Sequence, residues 1–276
     1  MFASSYRSDD NYVMPKKQPK VIYYTDELND DFANKKIKRK EIPNDYKYVN
    51  HSWLFKVNAF LLRYLFAIPI LWMINTFIYR PKIVNKEIFK LVKKKGYFIY
   101  SNHVLPFDPV VIPIVVDTRK PCLIISSHEL FSINKLTSWM VRHFFAIPVP
   151  NADYEMNQNF VEAIKYHLNK QHRVLIYPEA HIWPYYKGIR HFKSASFRYP
   201  VDDDAPVIVM TTTFKKRKGN RKPKPIIYVD GPFYKDETLS YREQISDLAE
   251  RAYQTMLSHS QREDNFEYIK YIKKSD

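Results

Sequence analysis

The sequence predicts an α/β fold preceded by a membrane-associated helical segment. Two observations carry this. Short apolar runs rich in β-preferring residues, at 98–100, 122–125, 174–177, 206–214 and 226–229, alternate with amphipathic segments of helical period. Ahead of them, Trp53 to Arg80 is apolar, with Arg63 the only charge between Val57 and Tyr79. A chain of 276 residues can bury one core, so one domain with appendages is expected.

Residues 1–50 mix Lys, Asp, Asn, Tyr and Pro without sustained period and are expected to be poorly ordered. No short apolar core with a small-residue cleavage site opens the sequence, so no signal peptide is read. Residues 51–80 form the membrane-associated segment. Sixteen uncharged residues run from Tyr64, just short of an uninterrupted spanning helix. Trp72 and Tyr79 are amphipathic anchors, Arg63 is placed to snorkel, and Arg80 opens a basic flank with Lys82 and Lys86. Lys47 and Lys56 flank the other end, so charge gives no preferred orientation, and a re-entrant or interfacial hairpin kinked near Pro69 is expected.

The segment 86–95 reads as a short amphipathic helix with Ile88, Leu91 and Val92 on one side, stopped by Gly96. A strand then runs into Ser101-Asn102-His103. After Asp108, Pro109 suits a first helical turn and 110–116 a buried apolar segment. Phe160, Val161, Ile164 and Leu168 share one helical face. Asp202-Asp203-Asp204 is a polar turn, and Lys215 to Lys224 packs seven basic residues into ten positions. Ser240 with Glu243 forms a capping box for a helix carrying Ile245, Leu248, Ala249, Ala252 and Met256 on one face. The tail, 261–276, is charged and expected to be loose.

The net charge of +15 with 16% aromatic residues points to a polyanionic partner, an anionic membrane or a nucleic acid. Four scattered glycines exclude a dinucleotide fingerprint or phosphate loop. The single Cys122 excludes an internal disulfide, fits a reducing compartment, and sits in an apolar run as a buried thiol. No metal site is read.

The chemistry is expected where the strand at 98–101 ends. His103 precedes Asp108 by five residues, a spacing that regular helix turns apart and a proline-containing turn brings together. A carboxylate on one ring nitrogen leaves the other free to take a proton from a hydroxyl. The pair alone is equally compatible with a structural histidine. Downstream, Glu179 follows the apolar run at 174–177, and Lys187, Arg190 and Lys193 make a cationic loop suited to a phosphate-bearing substrate or simply to solvent.

These residues resemble the lysophospholipid acyltransferase family, which includes the 1-acyl-glycerol-3-phosphate acyltransferases. The resemblance covers about residues 80–235 in four ordered blocks: Asn102-His103 with Asp108; Glu129-Leu130-Phe131 followed by Ala146-Ile147-Pro148-Val149; Tyr177-Pro178-Glu179 followed by Phe192-Lys193-Ser194-Ala195; and 206–210. It implies a mixed sheet flanked by helices behind the hairpin, with an acyltransferase domain over 81–260. It implies His103 as general base and Asp108 as its orienting carboxylate. Asn102, Glu179, Lys187, Arg190 and Lys193 are the implied substrate contacts, and backbone N–H groups around 178–180 the implied oxyanion donors. No cofactor is implied; acyl-CoA or acyl-carrier protein serves as thioester donor. The expected acceptor is a lysophospholipid, foremost 1-acyl-glycerol-3-phosphate, at the cytoplasmic face of the cell membrane. Two family arginines are missing, with Pro150 and Asn151 at one place and Ile182 at the other, which leaves the acceptor open.

Other classes stay open from the residues themselves. Ser127 beside His128, or Cys122, would serve a lipid hydrolase. A nucleic-acid-binding module would explain the charge but gives the apolar stretch no role. A non-catalytic lipid-binding protein has the same composition.

Overall fold

The computed structural model describes residues 20–32, 41–43, 45–105, 108, 120–151, 154–219 and 221–274. Pro106, Pro109 and the apolar segment expected at 110–116 lie outside the described residues, as do 1–19. Strand β1 (Lys20–Tyr24) stands apart from a seven-stranded sheet of β2 (Lys82–Val84), β3 (Tyr97–Ser101), β4 (Cys122–Ser126), β5 (Ala146–Pro148), β6 (Arg173–Ile176), β7 (Val207–Lys215) and β8 (Lys224–Phe233). Their order is β2-β8-β7-β3-β6-β4-β5, parallel throughout except for the antiparallel pair β7–β8.

All five residues of β3 are buried, as a central strand covered on both faces requires. The chain leaves β3 towards β4 on one side, while from β6, its neighbour, it crosses to β7 on the other. The two connections therefore run in opposite directions along the sheet, each passing the other's strand. Tyr100 pairs with Ile176, so both loops start at the same edge of the sheet and open a crevice there.

Helix α1 (Trp53–Tyr79) is a single run of 27 residues. The expected hairpin is not formed. Pro69 sits in the second position of an α-helical turn, Ile68–Met73, which follows a π-helical stretch, Leu62–Ala67. The wider turns tolerate the missing N–H, so the helix continues. Arg80 ends it in the left-handed region at φ 50°, and Arg217 donates to the carbonyls of Ile78 (2.9 Å) and Tyr79, complementing the negative helix end. Arg63 turns inward, donating to the Lys120 carbonyl at 2.5 Å, and Tyr79 is buried. Neither has the lipid-facing position expected of it; Trp72, 58% exposed, and the exposed Arg80 do face outward.

Among the described residues the further α-helices are α2 (His128–Ser132), α3 (Lys135–His143), α4 (Tyr154–Asn169), α5 (Arg198–Asp202) and α6 (Tyr241–Ser260). The capping box of Ser240 and Glu243 starts α6, whose Leu248, Ala249, Ala252 and Met256 are buried. The helix expected at 86–95 is only a 3-10 turn, Lys86–Lys90, and Leu91 is exposed while Val92 is buried. Gly96 has a reason beyond stopping it: a Cβ there would lie 2.4 Å from the Leu168 carbonyl oxygen.

The looseness expected for 1–50 and 261–276 fails at two places. β1 pairs in parallel with β9 (Ile269–Lys273), a match of two short strands far apart in sequence that no local period announces. The pair covers Trp183, which stacks on Tyr271 with centroids 4.9 Å apart and donates its indole N–H to the Asp30 carbonyl at 2.8 Å.

Candidate active site

β3 delivers Asn102 and His103 to the crevice. Asn102 is 1% exposed and its amide exchanges two hydrogen bonds with the backbone of Thr212: Nδ2 donates to the carbonyl at 3.0 Å and Oδ1 accepts from the N–H at 2.8 Å. It splices the end of β3 to β7 and touches nothing in the cleft. Its role is to fix where the next residue begins.

The His103 ring lies against Tyr177, centroids 4.3 Å apart, with Nδ1 3.4 Å from Asp108 Oδ2. That same oxygen accepts from the N–H groups of Val104 (2.8 Å) and Leu105 (2.7 Å), and the Asp108 N–H donates to the Leu105 carbonyl at 3.0 Å. The carboxylate is held by its own turn and has no exposed side-chain surface, whereas His103 keeps 15%. Burial raises the Asp108 pKa above 3.8, opposed first by its hydrogen bond to His103. With Nδ1 directed at the carboxylate, Nε2 is the nitrogen available to a substrate.

The loop after β6 supplies the opposite support. Glu179 Oε2 accepts from the His103 N–H at 3.1 Å, and Oε1 from the Arg190 N–H at 3.0 Å. The Arg190 guanidinium pairs with Oε2 at 3.5 Å, donates to the carbonyls of His181 and Glu27, and lies over the Trp183 ring at 5.0 Å. Burial pushes the Glu179 carboxyl up and Arg190 pulls it back. Arg190 is 1% exposed, so it is a prop for the loop, not a hand held out to substrate. The bonds Trp183 N–H to His103 carbonyl (3.2 Å) and Tyr185 N–H to Val104 carbonyl (2.7 Å) lock this loop to the His103 turn.

His103 and Glu179 line a cleft of about 650 Å³. Its inner wall is apolar, from Ile124, Ile125, Phe160 and Ile176, and Lys193 and Arg198 bring charge to it. Lys193 is exposed, and Arg198 donates to Asn157 Oδ1 at 3.3 Å and to the Tyr199 hydroxyl at 3.4 Å, both neutral groups. Lys187 does not line the cleft. Its carbonyl accepts from Asn265 at 3.0 Å. Of the backbone donors expected around 178–180, the Ala180 N–H is engaged in a turn with the Tyr177 carbonyl (3.0 Å), as is the following His181 N–H with the Glu179 carbonyl (2.7 Å). Tyr177 stands in the third block of the resemblance without an assigned role, and Arg198 in none of the blocks. The one signal for Arg198 was its place five residues after Lys193.

Ser127 lines the cleft, but His128 turns away, its Nε2 2.5 Å from the Val149 carbonyl, so the two form no dyad. Cys122 is buried, and burial pushes its thiol up, away from the nucleophilic thiolate. Among the described residues no group of three or more His, Cys, Asp or Glu is placed to hold a metal ion.

The family model described as Acyltransferase matches residues 80–213. No curated protein matches the sequence. Among solved structures, the chain is similar to the crystal structure of the 1-acyl-sn-glycerophosphate (LPA) acyltransferase PlsC from Thermotoga maritima. The identity is 17% and the TM-score 0.48, covering 75% of this chain and 86% of that one.

Proposed function

Residues 80–213 belong to the acyltransferase family, and on that premise we propose that the chain moves a fatty acyl group from an acyl thioester to the hydroxyl of a lysophospholipid, foremost 1-acyl-glycerol-3-phosphate. The observation that carries the reading is His103 Nδ1 directed at a buried carboxylate on the wall of a cleft that also holds Lys193 and Arg198. Nε2 of His103 takes the acceptor's hydroxyl proton as its oxygen attacks the thioester carbonyl carbon. The tetrahedral adduct collapses, the carbon–sulfur bond breaks, and the imidazolium returns the proton to the departing thiolate. Asp108 stabilises the imidazolium between the two transfers. Lys193 and Arg198 pair with the acceptor phosphate in place of the two missing family arginines, and Arg198 suits it by its fork of donors. The donor is acyl-CoA or acyl-carrier protein.

The site sits at a bilayer surface. α1 is about 40 Å long at 1.5 Å per residue, longer than a hydrocarbon core of about 30 Å. It is tied to the protein near both ends and between, through Phe55 against His143 (centroids 4.3 Å), Arg63 and Arg217. Its outer face exposes Leu65, Phe66, Ile70, Trp72, Met73 and Phe77. A helix fastened along its length with one apolar face outward lies in the interface plane, which makes the protein monotopic. The basic residues of 215–219 and 221–224, of which Arg217 binds the end of α1, add attraction to anionic headgroups on the cytoplasmic face.

The test is purified protein in lipid nanodiscs with an acyl thioester and a panel of lysolipids. Expected is thiol release that depends on acceptor, fastest for phosphate-bearing acceptors, and abolished in His103→Ala. Arg198→Ala should raise the Michaelis constant for the phosphate-bearing acceptor roughly tenfold or more, as loss of a charge-assisted hydrogen bond does. Acceptor-independent hydrolysis, or near-parental turnover by His103→Ala, rejects the reading.

A further inference from the structure

A second cavity, separate from the cleft of His103, is larger than it. It holds about 1030 Å³, near the upper limit for small-molecule sites of roughly 300–1,000 Å³, and shares no lining residue with the cleft. It lies between the first half of α1, helix α3, residues 41–43 and 45–50, and strand β5. Pro121 and His172, which precede β4 and β6, also line it. It therefore reaches the N-terminal edge of the sheet, opposite the edge where β3 and β6 deliver the catalytic loops.

Phe55, Phe131 and Phe145 give it apolar depth, and Ala59, 2% exposed, forms part of its wall on α1. Phe60 and Trp139 line it and are also 58% and 42% exposed, so they stand at its mouth, one on each helix. Outside the mouth the apolar surface continues through Leu54 on α1 and Leu136 on α3, 61% and 65% exposed. Two apolar helix faces flanking one opening are a surface that rests on hydrocarbon. Around the rim, Lys47, Lys56, Lys135 and Arg142 outnumber Glu41 and Asp45. Arg142 is steadied over the Tyr46 ring at 4.5 Å.

From this juxtaposition we infer that the cavity holds a membrane phospholipid with an anionic headgroup, its acyl chains between α1 and α3 and its phosphate on Lys56, Lys135 and Arg142. It is a binding site separate from the chemistry, fastening the protein to the bilayer by a bound lipid as well as by the helix surface. It rests on the reading that α1 meets a membrane, and not on the acyl-transfer reaction.

The experiment uses the full chain in nanodiscs containing a trace of phosphatidylglycerol or phosphatidylcholine with a photoreactive diazirine on the acyl tail, with cross-links located by peptide mass spectrometry. Expected are phosphatidylglycerol cross-links at 55–64 and 131–146, outnumbering those of phosphatidylcholine. Ala59→Trp fills the cavity and should remove them while the protein still floats with liposomes and keeps acyl transfer. Should that variant fail to fold, Lys135→Glu with Arg142→Glu leaves the wall intact and should cut the preference for the anionic probe roughly tenfold. Equal labelling by both probes, labelling unchanged in either variant, or cross-links confined to the outward residues of α1 overturns the inference. Failure of the parent protein to float rejects the membrane reading itself.

Discussion

Replacing Asp108 by Asn separates catalysis from folding. The carboxylate lies 3.4 Å from His103 Nδ1, and both groups are largely out of solvent. At that distance and an effective dielectric of about 20, an imidazolium gains about 5 kcal/mol from the charge. Lost from the transition state alone, this amounts to three to four decades of rate at about 1.4 kcal/mol per decade. It falls in the range of about 10²–10⁴ that general-base catalysis supplies. Stability should respond far less. The amide oxygen can still accept from the N–H groups of Val104 and Leu105, while the amide nitrogen takes the place of Oδ1, which is buried and has no hydrogen-bond partner among the described residues. The unsatisfied donor costs about 1–3 kcal/mol, offset by removal of a charge whose burial is unfavourable.

The pH dependence gives a second readout with a definite sign. The folded-state pKa of Asp108 is raised above 3.8, so the native state holds that proton more tightly than the unfolded chain. Its contribution to stability is complete below 3.8 and is lost as pH rises through the raised value. The Asn variant carries no such loss, so its melting temperature relative to the parent should improve from pH 3.5 towards about 7. Thiol-release kinetics at saturating acceptor and calorimetry at several pH values check both. A turnover number within about tenfold of the parent, or a relative melting temperature that worsens as pH rises, refutes the reasoning.

Arg190→Ala leaves the buried Glu179 carboxylate without its cation and should destabilise the protein by about 3–5 kcal/mol in denaturant titrations. If it instead changes only the Michaelis constant for acceptor, Arg190 contacts substrate after all. His167 and His172, joined Nδ1 to Nδ1 at 3.0 Å, have pKa values lowered chiefly by burial from 6.5 to about 3 and about 4. Their contribution is present above 6.5 and lost as pH falls through those values, so His167→Gln with His172→Gln should flatten the acid limb of melting temperature against pH. Parallel curves would remove the pair from the account. Gly96→Ala drives a methyl group into the backbone of Leu168 and should cost about 1–3 kcal/mol by chemical denaturation. A neutral result would mean that the strand yields.

The sequence by itself determined the elements whose signal is local. The apolar runs at 98–100, 122–125, 174–177 and 206–214 became strands, and Ser240 with Glu243 capped the helix where the box required it. The His103–Asp108 pair was legible because a five-residue spacing suits a turn and not a helical face, and Nδ1 of His103 does lie 3.4 Å from Asp108 Oδ2. What tertiary structure alone decided is which charges face the cleft. Arg190, Lys187 and Lys193 look alike in sequence. Burial against Glu179 takes the first inward, Lys187 lies off the cleft, and Arg198 joins Lys193 because α5 follows directly behind that loop. The same holds for α1 and for the β1–β9 pair. Hydropathy sees an apolar stretch and two polar ends, and has no means of seeing Arg63 reach Lys120 or a strand find its partner about 250 residues away. Contacts between residues distant in sequence are set by the packing of the whole sheet, and a local pattern carries no record of them.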